Sequence, residues 1–151
     1  MKKIINIGLV LALCILLTGC LGGKTTKCSS SSEQKDYSIS TDYTIKSKSN
    51  IVTSINIKTV IESKEKKVLE KFKKQLEDQY KGNNTSYGGY DYKVVIKGKK
   101  LTANVTIDYK KFDLEKFTKA NGAMKEYVNK DNKLTVEGAT KMYKSTGAKC
   151  K

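Results

Sequence analysis

The sequence predicts an α+β domain: an antiparallel sheet of about four strands in ββα-ββα order, with helices packed on one face. Three observations carry this expectation. Two pairs of segments alternate apolar and polar residues with a period of two. Each pair is followed by a segment whose apolar residues recur at helical spacing. Every predicted strand has one apolar and one polar face, which is the pattern of an antiparallel sheet covered on one side and wet on the other.

The first pair begins at Tyr37. Tyr37, Ile39, Thr41, Tyr43 and Ile45 fall on one face, and Ser38, Ser40, Asp42, Thr44 and Lys46 fall on the other. A turn near Lys48-Ser49-Asn50 leads to a second run in which Ile51, Thr53, Ile55, Ile57, Thr59 and Ile61 alternate with mostly polar residues. The period then changes. Val68, Leu69, Phe72, Leu76 and Tyr80 mark a helix with Ser63 as its expected N-cap and Gly82 as its expected stop. Residues 82–89 read as a loop.

In the second pair, Tyr90, Tyr92, Val94 and Ile96 form one inward row. Leu101, Ala103, Val105, Ile107 and Tyr109 form the other, across a Gly98-Lys99 turn. Asp113 is placed to cap a short helix ending near Asn121-Gly122, with Phe112 and Phe117 at staple spacing. A further helical turn is expected over Met124 to Val128, then a polar turn over Asn129 to Lys133. Thr135 is placed to cap a last helix presenting Val136, Ala139, Met142 and Tyr143 and stopping near Gly147.

The N-terminus reads as an export address. Met1-Lys2-Lys3 is cationic, and Ile4 to Leu17 is apolar apart from Asn6 and Gly8. That run is shorter than the ~20 residues of a membrane-spanning helix and matches a signal-peptide core. Leu17-Thr18-Gly19-Cys20 then has the order of a lipobox, with small residues before a cysteine whose thiol receives the diacylglyceryl group. The expected organisation is a signal peptide over 1–19, a lipidated flexible tether over 20–36 and a single domain over 37–151. The expected location is the extracytoplasmic face of the cell membrane, held there by lipid on Cys20, since two acyl chains anchor stably where one is marginal.

Of the four cysteines, Cys14 lies in the signal and Cys20 is the lipid site. Outside the cytoplasm the remaining pair, Cys28 and Cys150, predicts a disulfide; two free thiols are the alternative. Two thiols in a chain without histidine fall short of a zinc site, so no metal and no cofactor are expected.

The net charge is +15, and every basic residue is lysine. Nucleic-acid recognition favours the arginine fork, and this chain is read as exported, so no nucleic-acid partner is expected. A lysine-rich solvated surface is the plainer reading, with codon bias as an alternative source of part of the lysine excess. Long-range attraction to an anionic wall polymer or lipid is the functional one.

Several stretches together resemble a known family. They are the strand pair with its Lys/Asn turn, the lysine-rich helix reaching Tyr80-Lys81-Gly82, and Val105-Thr106-Ile107-Asp108-Tyr109 followed by Lys-Lys-Phe-Asp-Leu. The closing Asn132-Lys133-Leu134-Thr135 helix, with Tyr143 and Ser145-Thr146-Gly147, completes the set. In this order, from about Ser38 to Lys149, the chain resembles the YehR-like family of small bacterial lipoproteins, a domain of unknown function. Cys28 and Cys150 resemble the terminal pair of its Gram-positive members. The resemblance implies the fold and the lipoprotein character, and no catalytic residues.

Without histidine there is no Ser-His, Cys-His or histidine-metal site. Serines and lysines abound, yet nothing singles out a Ser-Lys pair. Asp91 and Asp108 are expected on the polar side of adjacent strands, either meeting or exposed among lysines. Tyr87, beside Gly88-Gly89, is a candidate surface contact for sugar or peptide backbone, with Tyr90 and Tyr92 turned into the core. The expectation is a non-catalytic binding module at the cell envelope, not an enzyme. Its partner would be an anionic wall polymer or an envelope protein. The alternatives are a protein-docking inhibitor or chaperone-like module, and an enzyme using a Ser-Lys or carboxylate site.

Overall fold

The computed structural model describes residues 23–151. Strand β1 spans Lys24–Glu33, β2 Ser38–Lys48 and β3 Ile51–Glu62. Helix α1 (Lys66–Tyr87) follows, then β4 (Tyr90–Lys97) and β5 (Lys100–Asp108). The chain closes with α2 (Leu114–Ala120), a 3-10 turn over Gly122–Glu126, α3 (Val136–Ser145) and a two-residue β6 (Lys149–Cys150). The strands form one antiparallel sheet in the order β4-β5-β3-β2-β1-β6.

The expected four strands are therefore six, and the ββα-ββα order does not hold. The first missing strand, β1, lies in the segment read as a tether. It pairs with β2 over ten residues, from Lys24 opposite Ser47 to Glu33 opposite Ser38. Its composition hid it. The inward positions are Thr26, Cys28 and Ser30, and only Cys28 is fully buried, so no apolar alternation exists to read. Backbone pairing to β2 holds β1 in place. The other missing strand, β6, is too short for any period to show; its partner lies over a hundred residues upstream.

The inward rows of β2, β4 and β5 fall as their alternation predicts. Ile45, Val94, Leu101, Ala103, Val105 and Ile107 are buried. In β3 the parity breaks. The register slips between Lys46 and Ser47, so Thr53 is the extra residue of a bulge. Val52 is consequently buried, whereas the expected Ile51 and Thr53 are only half-covered. The freed backbone is used: Thr53 accepts from the Tyr109 amide (3.0 Å), and its hydroxyl donates to the Lys46 carbonyl (3.1 Å). Positive φ at Ser49 and Asn50 closes the β2–β3 turn.

All helices among the described residues lie on the inward side. Helix α1 covers β3, β5 and β4 through Leu69, Phe72, Leu76 and Tyr80. Helix α3 covers β1, β2 and β3, with Ala139 and Tyr143 packed among Cys28, Ile45, Val52 and Ile55. The Tyr43 and Tyr143 rings stack at 4.0 Å. Two expected caps hold: Asp113 accepts from the Lys116 amide and Thr135 from the Gly138 amide. Phe112 and Phe117 meet with ring centres 5.3 Å apart.

Helix α1 departs from expectation at both ends. Its N-cap is Glu65, not Ser63. Ser63 instead donates its hydroxyl to the Asp36 carbonyl and accepts from the Glu65 amide. The helix also runs through Gly82 to Tyr87 and exits at Gly88 and Gly89, both at positive φ. A glycine inside a helix costs about 1 kcal/mol, too little to stop one anchored beyond it. The anchor is Tyr87, seven residues past Tyr80 on the same stripe and packed against Phe112 and Phe117.

Two helical glycines therefore answer the same substitution with opposite signs. At Gly82 an added Cβ meets nothing, whereas at Gly138 it would collide with the Tyr127 carbonyl. Gly82→Ala is expected to stabilise by up to about 1 kcal/mol. Gly138→Ala should destabilise by about 1–3 kcal/mol. Urea midpoints of the two variants check both; loss of stability in Gly82→Ala would mean the helix ends there.

Burial also pushes the phenols of Tyr109 and Tyr143 well above the ordinary tyrosine range, and raises Tyr80 and Tyr90 less far. An unfolded phenol ionises near ~10. Above that pH the unfolded chain has released protons that the folded chain retains, so stability falls as pH rises. Absorbance titration at alkaline pH should show part of the nine tyrosines ionising only as the protein unfolds. A single reversible wave from a folded protein would contradict this burial.

Candidate functional site

With the described helices gathered on one side, the other face of the sheet is left uncovered by residues 23–151. Alternation sends the even-numbered residues of β2 and β5, those of β3 from Ser54 onward and the odd-numbered ones of β1 and β4 to this face. Two cross-strand rows result, one running through all six strands and the other through five of them and the residue after β6. One is Lys149, Ser29, Asp42, Lys58, Asn104 and Lys93. The other starts at Lys151, whose backbone exchanges hydrogen bonds with Lys27 (2.8 and 3.3 Å), and continues through Thr44, Asn56, Thr106 and Asp91.

These rows bound a trough of about 890 Å³. Its floor is the backbone of the register row between them, from Cys28 through Tyr43, Ile57 and Val105 to Tyr92, whose side chains turn to the helix side. The sheet's twist and the flanking side chains make the face concave.

The electrostatics are one-sided. Lys27, Lys58, Lys93, Lys149 and Lys151 line the trough against two carboxylates, Asp42 and Asp91. All seven side chains are exposed, and among the described residues none of them makes an ion pair. The ion pairs lie elsewhere, four on or between helices and one, Lys100 with Glu62, beyond the trough on the sheet. Between the charges stand neutral donors and acceptors. Thr106 donates to Asn56 Oδ1 (2.8 Å), which leaves the Asn56 amide nitrogen free to reach outward.

Cys28 and Cys150 are bonded to each other and sit directly opposite on β1 and β6. The bond fixes the β6 edge, which brings Lys149 and Lys151 beside Lys27. Leu17, Thr18, Gly19 and Cys20 lie outside the described residues. Tyr87 is half-buried against two phenylalanines, so it offers no flat platform to a sugar. Asp91 and Asp108 do not form a pair: Asp91 stands opposite Thr106, and the Asp108 carboxylate accepts from the Lys110 amide one row further on. Among the described residues no three Cys, Asp or Glu side chains gather as metal ligands, and no helix is long and apolar enough to cross a membrane.

Sequence reasoning expected a polar sheet face but did not assemble its residues. The signal was the set of polar positions between the apolar ones. Lining them up requires the strand order and register, which no local pattern carries.

The arrangement defines a class: a one-layer antiparallel sheet covered by helices on one side, with a terminal disulfide and an open polar trough on the other. The fold is YehR-like. It is similar to the solution structure of the Escherichia coli YehR protein, with 20% identity over 86% of this chain and 93% of that one and a TM-score of 0.55. A protein from Streptococcus pneumoniae TIGR4, also solved by NMR, has a TM-score of 0.50 at 12% identity, covering 86% of each chain. No family model matches the chain, and no curated protein matches it.

Because β6 is only two residues long, the disulfide should dominate its stability. In the chain-entropy picture a loop of 122 residues contributes up to about 5 kcal/mol, and 2–4 is typical. Cys28→Ser with Cys150→Ser is expected to lower the urea midpoint. It should also abolish hydrogen-exchange protection at Lys151, whose amide donates to Lys27. Retained protection there would show that the ladder alone holds the edge.

Proposed function

We propose that this chain is a lipid-anchored extracytoplasmic lipoprotein that serves as a non-catalytic binding module, with the uncovered sheet face as its contact surface. The observation that carries the binding reading is the trough itself. Five lysines and a run of amides and hydroxyls line a concave surface with no ion pair among them. A face needed only for solubility has no reason to be concave or to concentrate its free charges.

The address rests on the cationic start, the short apolar run and the lipobox ending at Cys20. The Cys28–Cys150 bond supports it, since disulfides persist outside the cytoplasm. On this reading the domain stands close to its membrane. β1 begins at Lys24, so the reach from Cys20 is at most about 14 Å of extended chain, where a free tether would allow several times that.

Two measurements test the two halves. Cys20→Ser should abolish incorporation of labelled palmitate and release the protein from the membrane fraction; continued labelling would sink the anchor. For the surface, a photo-crosslinking residue at Thr44, in the trough, should form adducts in the protein's own cells. The same residue at Lys71, on the outer side of α1, should not. Equal adducts at both positions, or none at Thr44, would remove the trough as the contact surface.

A further inference from the structure

The trough's chemistry narrows what it holds. We propose that its occupant is an extended polyanion whose charges are separated by hydroxyl-bearing units, and that the Cys28–Cys150 bond assembles the basic end of the site. This rests on the reading of the trough as the contact surface.

The first argument is charge. Five free lysines face two free carboxylates in one groove, a local excess of three positive charges with no internal partner. Desolvating them against a neutral ligand would be unfavourable, whereas an anion compensates them. An ammonium is a compact charge with rotatable donors, suited to a mobile anionic chain where a rigid fork would demand one geometry.

The second argument is spacing. Lys149, Lys58 and Lys93 lie in one row on β6, β3 and β4. With strands about 4.8 Å apart, the gaps between them are about 14 and 10 Å. Ser29 and Asn104 fill neutral positions of that row, with the Asp42 carboxylate between Ser29 and Lys58, and Thr44, Asn56 and Thr106 are the neutral positions of the next. Three cationic points are thus spread along about 24 Å, separated by hydrogen-bonding positions and by the one carboxylate of Asp42. A compact anion would use one end of this and leave the rest idle. A chain of anionic groups joined by polyol or sugar units meets both kinds of position.

The third argument is shape. A lipid headgroup layer is broad and flat, and a concave trough would admit single headgroups only. A chain lying across the strands can enter it along its length.

The basic end depends on a covalent bond. Lys149 and Lys151 belong to β6 and its last residue, which reach Lys27 because Cys150 is tied to Cys28. Two of the five lysines are therefore held in the trough by the disulfide.

The test uses the full chain, purified in detergent with its disulfide intact, and two end-labelled polymers read by fluorescence anisotropy at low salt. A lipid-free glycerol-phosphate polymer carries its charge on phosphate; polygalacturonate carries it on carboxylate, so the two identify the source of the anion. Binding of at least one is expected. Lys58→Gln/Lys93→Gln/Lys149→Gln should weaken it by at least about tenfold. Lys67→Gln/Lys71→Gln/Lys74→Gln, on exposed sites of α1, removes the same net charge and should change it less than about twofold.

Cys28→Ser/Cys150→Ser should weaken binding as far as Lys149→Gln/Lys151→Gln does, with the circular dichroism of the domain retained. If the serine pair unfolds the domain, the Lys149→Gln/Lys151→Gln variant alone decides whether this end contributes. Equal weakening by both triple variants would reduce the effect to net charge and overturn the site. Failure of both polymers to bind would overturn the polyanion. Displacement of the polymer by free glycerophosphoglycerol at equal charge concentration would transfer the site to a lipid headgroup. If the polymers fail while Thr44 still crosslinks in cells, the contact surface stands and only its occupant is wrong.

Discussion

The structure depends on one constraint: the sheet can bury only one of its faces. Period-two alternation in β2, β3 and β5 places Ile45, Ile55, Ile61 and Leu101 on the same side, where each is fully enclosed. Burying one such side chain contributes about 1.5–3 kcal/mol, so a register slip by one residue would forfeit the core. Both long helices must then cover that side. Among the described residues the opposite face stays polar and open, because no further element of residues 23–151 remains to cover it.

The bulge at Thr53 is a local consequence of the same constraint. Near the β2–β3 turn the inward positions must pass from Ile55 to Val52, which face one another on the same side only if one residue is added. The added residue lets Val52 donate to the Leu134 carbonyl and Val136 to that of Asn50. The segment leading into α3 is thereby tied to the start of β3, and Leu134 is buried. Gly138 allows the backbone of Tyr127 to lie against α3. Backbone contacts thus help to close the second half of the core around Ile45, Ile55, Leu134 and Tyr143.

At the other margin the logic is covalent. The inner positions of β1 beyond Cys28 are threonine and serine, so little apolar area holds that edge. The Cys28–Cys150 bond supplies what burial does not and joins the chain's last residues to the first strand described. The same bond shapes the open face, since Lys149 and Lys151 arrive with β6. One bond thus both stabilises this edge and sets two lysines of the open face.

The strands β2, β4 and β5, the two helix caps at Asp113 and Thr135 and the two sheet turns were legible locally, because alternation, capping side chains and turn residues act over a few positions. Gly82 misled because propensity was weighed without Tyr87, whose packing against Phe112 and Phe117 carries the helix onward. β1 was illegible because its stability lies in a ladder to β2, and serine runs look the same in a tether as in a paired strand. By itself the sequence determined that helices cover one face of an antiparallel sheet, that the core is one-sided and that Cys28 pairs with Cys150. Only the tertiary structure decided that the sheet has six strands, that it is open on one face, and that Lys27, Lys58, Lys93, Lys149 and Lys151 line a single trough. The reason is that strand order and register are non-local: residues more than a hundred positions apart become neighbours only when the ladders form.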